Sequence, residues 1–404
     1  MNSGIVCLIR SLILPLVLLS PITGSFAATD NFIPYVFTSI SHDSNIFRIA
    51  NDAEAISVLG STKMDDTARH LGAGFRAELP VSRQYLLIDA AVDRTNYNTY
   101  SVLDNTQKEG NATWRWQVGN LWSGNLGYSY SERLSTFYEI QSVLKETETR
   151  NTTFLDAGFQ IHPDWKLVAS LGRSNQDYRE TNVLDRELRS EGLEVQYRNT
   201  INTRMGLRVK VTDENLDNLE NVNGTLVNND SKQTEISGVF YWEGTVKSHL
   251  EARFGITDQK YDELTERNFQ GSTGRLTYQW LMSEKTTLDI SLWREGGLYY
   301  DETTAFVVTN GVSIHPVWSA TPFITVSGNF SFQKNDFEGE NAVILGSGQP
   351  QREDDVRQLS LSLSYKPMRN VELSIAHQTE ERTSNRKDSE FTDRQIHAKL
   401  QLSF

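Results

Sequence analysis

An all-β fold, a transmembrane antiparallel β-barrel of the bacterial outer membrane with about eighteen strands, is the class this sequence predicts. Three observations predict it. Apolar residues recur at every second position in many short windows, tight turns return at a near-constant interval, and the chain ends on such a window with an aromatic carboxyl terminus, Phe404. A period of two puts alternate side chains on opposite faces of an extended strand, and about ten tilted residues suffice to cross a bilayer.

The first 27 residues read as an export signal. Arg10 precedes the apolar stretch from Ser11 to Leu19, and Ser25-Phe26-Ala27 supplies a small-x-small cleavage site. That stretch is far short of the ~20 residues of a membrane-spanning helix, and Pro15 and Pro21 interrupt the segment. Residues 28–404 then form one barrel domain. Cleavage removes Cys7, the single cysteine, so the mature chain is expected to hold no disulfide and no thiolate metal site. The whole chain carries 39 basic and 52 acidic residues, and cleavage removes only Arg10 from that balance. An acidic chain with a pI near 5.1 argues against nucleic acid as a partner. Its mean hydropathy of −0.46 fits a barrel, because only alternate strand residues meet lipid while lumen and loops stay polar.

From residue 31 onward one unit repeats: an alternating strand, a short connection, another alternating strand and a longer polar stretch. The short connections centre near Pro80, Trp122, Pro163, Asn202, Gly244, Ser283, Pro316 and Pro367, successive ones lying 33 to 51 residues apart. Two membrane strands, one tight turn and one longer loop fill such an interval. Met205, Leu207, Val209 and Val211 share one face against Arg204, Gly206, Arg208 and Lys210 on the other. Leu250, Ala252, Phe254 and Ile256 oppose His249, Glu251, Arg253 and Gly255 in the same way, and Leu359, Leu361, Leu363 and Tyr365 oppose Gln358, Ser360, Ser362 and Ser364. A helix needs apolar spacings of three and four, which these windows lack. Counting 33–48 as one strand gives eighteen strands; merging marginal ones gives sixteen or fourteen. An even count puts both termini in the periplasm, and the long, acidic connections, such as Asp213 to Asn221, fall on the extracellular rim. Those loops lack the spacing of a calcium loop, so neither metal nor cofactor is expected.

Aromatic placement adds a second signal. Trp122, Trp165, Trp242, Trp280 and Trp318 fall at the tight turns, and Tyr97, Tyr100, Tyr138, Tyr178, Tyr261, Tyr299 and Tyr300 near the opposite strand ends. Amphipathic rings favour the bilayer interfaces, so the two sets predict two girdles.

With apolar residues toward lipid, the interleaved residues face the lumen: Asp89, Asp93, Arg115, Arg133, Arg173, Glu194, Arg198, Arg208, Lys210, Glu251, Arg253, Arg275, Asp289, His397 and Lys399. Such a mixed-charge set either neutralises itself or lines a path for a polar solute. Catalysis would need a nucleophile and a base brought together, and the seven histidines sit in no hydrolase or zinc motif. No enzyme is expected. His162-Pro163-Asp164-Trp165 and His315-Pro316-Val317-Trp318 read as turn punctuation, with Pro presetting the backbone.

The segment Phe32-Ile33-Pro34-Tyr35-Val36-Phe37, followed by His42-Asp43-Ser44-Asn45-Ile46-Phe47-Arg48, resembles the start of an outer-membrane β-barrel porin family, the EpsL-type proteins of exopolysaccharide biosynthesis clusters. The recurring His-Pro-x-Trp turns carry the resemblance along the mature chain. It implies a non-enzymatic conduit or scaffold in polysaccharide export, with Asp43, Asn45 and Arg48 as the family signature and no catalytic residues. The expected partners are outer-membrane lipid, the barrel assembly machinery that would read Phe404, the polysaccharide and periplasmic export components. The alternatives are a general diffusion porin for small polar solutes and a structural barrel with a blocked lumen.

Overall fold

The computed structural model describes residues 31–138, 143–181, 184–199, 203–222, 224–298, 306–338 and 351–404. The predicted signal segment 1–27, Tyr299 and Tyr300 lie outside the described residues. The strands are β1 (Phe32–Asp43), β2 (Asp66–Val81), β3 (Gln84–Tyr97), β4 (Asn105–Val118), β5 (Trp122–Leu134), β6 (Thr147–His162), β7 (Trp165–Tyr178), β8 (Arg186–Arg198) and β9 (Arg204–Leu216). A small hairpin follows, β10 (Glu220–Val222) and β11 (Thr225–Val227). Then come β12 (Ser231–Thr245), β13 (Ser248–Tyr261), β14 (Phe269–Ser283), β15 (Thr286–Leu298), β16 (Phe306–Thr321), β17 (Ile324–Glu338), β18 (Glu353–Met368), β19 (Val371–Ser384) and β20 (Phe391–Ser403).

Eighteen of these strands form one sheet in which each pairs antiparallel with its neighbour in sequence. β9 pairs with β12 across the hairpin, and β1 pairs with β20, from Tyr35 opposite Ser403 to Asp43 opposite Gln395. The sheet therefore closes. Closure removes every edge, which a sheet in hydrocarbon requires because each unpaired amide there costs several kcal/mol.

The register sorts the two faces. One continuous row runs Ala169, Leu193, Val209, Ile236 and Ile256; the row beside it runs Asp156, Ser170, Gly192, Lys210, Glu235 and Thr257. Apolar members stand outward: Leu207 is 70% exposed and Phe254 65%. In water such a band would be a large liability, but against lipid tails it is the matching surface. Trp122, Trp165, Trp280 and Trp318 are exposed on this outer face beside the tight-turn rim, forming the girdle expected there.

Two expectations are corrected. Pro316 is not at a turn: it lies within β16, opposite Leu288, and the tight turn comes later, between Thr321 and Ile324. It has no amide to donate, and pairing with β17 skips from Ile314 to Val317 around it. The tyrosines at the long-loop rim do not form a second girdle. Tyr178 and Tyr261 share the inner-face rows and are buried, while Tyr100 and Tyr138 belong to loops folded over the barrel mouth.

Candidate functional site: a packed mouth above a polar lumen

The connection from β1 to β2 is a folded segment rather than the end of a strand. It contains the helix α1 (Asp52–Leu59), started by Asn51, whose side chain accepts from the amides of Ala53 and Glu54, and stopped by Gly60 at φ 71°. Ahead of the helix, Asn45 clamps a turn: its Nδ2 donates to the Ile49 carbonyl at 2.8 Å and its Oδ1 accepts from the Ile49 amide at 3.0 Å. That turn puts Arg48 in the left-handed region, φ 57°. It also drives Phe47 inward, fully buried edge-on against Tyr100 and Phe137, each ring 4.8 Å away.

Arg48 is then held from two sides. Its guanidinium lies 3.2 Å from Asp43 of β1 and 3.2 Å from Asp393 of β20, and it stacks near the Tyr138 and Phe391 rings. Burial acts to lower the Arg48 pKa, but Asp43 and Asp393 outweigh it, so the guanidinium is held above its ordinary value. Asp393 further accepts from Ser44 Oγ and the Asn45 amide, and Gln395 Nε2 bridges Asp43 and Asp393. Tyr138 donates to Glu380 at 2.6 Å; burial, then the Glu380 charge, raises the pKa of the phenol and keeps it a donor. Arg352 pairs with the buried Asp354 at 2.7 Å. The signature residues Asp43, Asn45 and Arg48 thus form one knot. Its partner Asp393, and Glu380 behind Tyr138, escaped the sequence reading, although each is a charge in the loop-side part of a strand, where a membrane strand has left the lipid.

Below the mouth, the register puts Asp89, Asp93, Arg115, Arg133, Glu194, Arg198, Arg208, Lys210, Glu251, Arg253, Arg275, Asp289, His397 and Lys399 on the inner face. Arg173 is the exception and corrects the expectation: it stands opposite Thr153 and Arg189 in the outward row of Leu171, paired with Glu187 at the loop end of β7. The alternation window had slipped across the lipid boundary, where polar residues take the outward row.

The inner wall is uneven. Arg253 and Arg275 share Glu295 at 2.8 and 2.6 Å, and Arg253 also meets Glu235. Over β16 to β19 the middle of the wall carries hydroxyls and amides instead, among them Ser313, Ser327, Asn329, Ser331, Ser360 and Ser362. One part of the wall has the look of chemistry. Ser41 Oγ lies 3.0 Å from His70 Nε2, and His70 Nδ1 lies 3.2 Å from Asp93. The order is that of an acyl-transfer triad, but Ser41 sits in a flat strand paired on both sides, opposite Ala68 and His397. Its neighbouring amides are engaged in the ladders, so no pair of donors converges where an oxyanion would form. Thr95 also bonds His70 Nδ1, at 3.0 Å, as expected of a satisfied polar wall.

This fold has solved counterparts. The chain is similar to Pseudomonas aeruginosa OccK9 (OpdG), with 11% identity, a TM-score of 0.50, 93% of this chain covered and 99% of the other. It is also similar to the outer membrane protein OpdK from the same organism (11% identity, TM-score 0.48, 93% and 100% covered) and to the siderophore receptor PirA (7%, 0.47, 93% and 80%). No protein-family model matches the sequence, and no curated protein does. The closed eighteen-stranded barrel is set by the strand pairing itself, and the likeness to OccK9 agrees with it in fold.

Proposed function

We propose that the protein is a passive channel of the bacterial outer membrane for small polar solutes, a diffusion porin whose mouth is narrowed by its first loop. The observation that carries this reading is one sheet with two solvents. Leu207 and Phe254 expose apolar surface outward, while on the inner face Arg76 keeps a side chain 63% exposed and Arg275 42%. Eighteen strands enclose more space than side chains fill, and charges stay this open only where water reaches them. Phe404, exposed at the rim with its amide donating to the Pro34 carbonyl, is free to be read by assembly machinery.

A role in exopolysaccharide export is the second reading. It is favoured by the place of Asp43, Asn45 and Arg48 at the mouth, and it rests on the sequence resemblance; none of the neighbours above is named for a polysaccharide. Conductance of the purified protein in planar bilayers, with swelling of proteoliposomes in neutral sugars, tests the channel. Open-channel steps are expected. A correctly inserted barrel that conducts nothing, even with residues 44–65 replaced by a short linker, sinks it. Unchanged polysaccharide secretion on gene deletion sinks the second reading.

A further inference from the structure

A recess of about 290 Å³ opens in the inner wall between β6 and β9. Its floor is Ser170 and Gly172 of β7 with Ser190 and Gly192 of β8. Each serine hydroxyl lies over the neighbouring glycine: a Cβ at Gly172 would meet Ser190 Oγ at 2.6 Å, and one at Gly192 would meet the Ser170 hydroxyl. The floor therefore carries two hydroxyls and no larger side chain.

The pairing sets charges on either side of it. Asp156 stands opposite Ser170, Ser170 opposite Gly192, and Gly192 opposite Lys210, so a carboxylate and an ammonium stand three strands apart in one row, which runs on to Glu235 on the far side of Lys210; Arg208 lies in the adjoining row, beside Lys210 and opposite Glu194. Among the described residues, Asp156, Lys210 and Arg208 have no ion-pair partner within 4.0 Å. Glu194 also lines the recess, but accepts from Gln196 at 2.6 Å. Three strand spacings of ~4.8 Å put the Asp156 and Lys210 backbones about 14 Å apart.

We propose that this recess binds a short zwitterionic peptide, its ammonium on Asp156, its carboxylate on Lys210 and Arg208, and its backbone across the hydroxyl floor. A peptide of two or three residues spans ~7–10 Å, and a charge-assisted hydrogen bond of ~2.8 Å at each end brings the length to the spacing of the row. The proposal rests on the channel reading for access, because the ligand arrives from the lumen.

Calorimetry of the full chain in detergent micelles tests it, with triglycine, N-acetyl-triglycine and triglycinamide as ligands. Triglycine is expected to bind, and each capped form to bind about tenfold more weakly or worse, since one charged hydrogen bond is lost. Asp156→Asn should weaken triglycine but not the acetylated form, and Lys210→Gln should weaken triglycine but not the amide. Swelling of proteoliposomes in a neutral trisaccharide reads the channel separately and reports that each variant is assembled. No binding of triglycine by the native chain, or equal binding of all three ligands, overturns the recess; the capped ligands decide this even where a variant fails to assemble. Binding without swelling keeps the recess and removes the channel.

Discussion

Two arginine–aspartate pairs, one at the mouth and one in the lumen, have opposite meanings. In the lumen, Arg76 Nε meets Asp89 at 2.7 Å with the two side chains 63% and 35% exposed. At the mouth, Arg48 meets Asp393 at a longer 3.2 Å with the side chains 10% and 1% exposed. The shorter contact is the weaker one. Water screens the lumen pair and competes for both partners, so it is worth about 0–1 kcal/mol, whereas removing one member of a buried pair strands a charge and costs about 3–5 kcal/mol. The mouth uses its charges to hold a loop, whereas the inner wall leaves its charges open to water.

The largest effect tests the first half of that contrast. Arg48→Ala should leave Asp43 and Asp393 facing each other under the first loop and weaken the docking of residues 44–65 by about 3–5 kcal/mol. Faster hydrogen exchange and proteolysis across 44–65 are expected, with larger single-channel conductance, while the eighteen-stranded barrel stays assembled. Unchanged protection of that loop would show that Phe47 and its aromatic neighbours hold it without the ion pairs.

The contrast also explains which parts of the molecule could be read in advance. Alternation reports on the environment of each face, and within the lipid band the environment is simple: outward is hydrocarbon, so Leu193, Val209 and Ile236 stand out. The strand count and nearly all the inward charges followed from that. Above the band, water lies on both sides of the sheet and the pattern loses its meaning. Arg173 was therefore placed on the wrong face, and Tyr178 and Tyr261 on a girdle they do not form. The segment 44–65 was hidden for another reason. Its contacts reach Asp393, some 350 residues away in sequence, and join only because β20 pairs with β1. The Asn51 cap and the Gly60 stop were the local signals for α1. Pro316 misled because proline more often marks a turn than an outward strand position.

A smaller effect tests the other half. Arg76→Ala should change thermal stability by no more than about 1 kcal/mol, because its pair with Asp89 is screened. Removing a cation from a wetted wall should instead shift the reversal potential in a salt gradient toward cation preference. A loss of stability matching that of Arg48→Ala would erase the distinction between the two regions.

The smallest effect lies at the rim, where the two regimes meet. Asp185, in the loop between β7 and β8, shares its surroundings with Asp177 and Asp217, their carboxylate oxygens lying within 4.8 Å of one another. Partial burial raises the Asp185 pKa, the Tyr178 amide it accepts from opposes that, and Asp177, Asp217 and Glu146 add to the rise. A carboxyl with a raised folded-state pKa favours folding while it is protonated, and that contribution is lost as pH climbs through the folded pKa. At neutral pH the ionised group therefore works against the loop. Asp185→Asn keeps an oxygen for the Tyr178 amide and removes the repulsion, so it should raise Tm at pH 7 by an amount equivalent to a few tenths of a kcal/mol, on the order of one exposed charge contact. The gain should vanish below the ordinary carboxylate range, where Asp185 is protonated in the folded and unfolded chain alike. A Tm that falls at pH 7 instead would mean that the three carboxylates are held together by something that needs their charge.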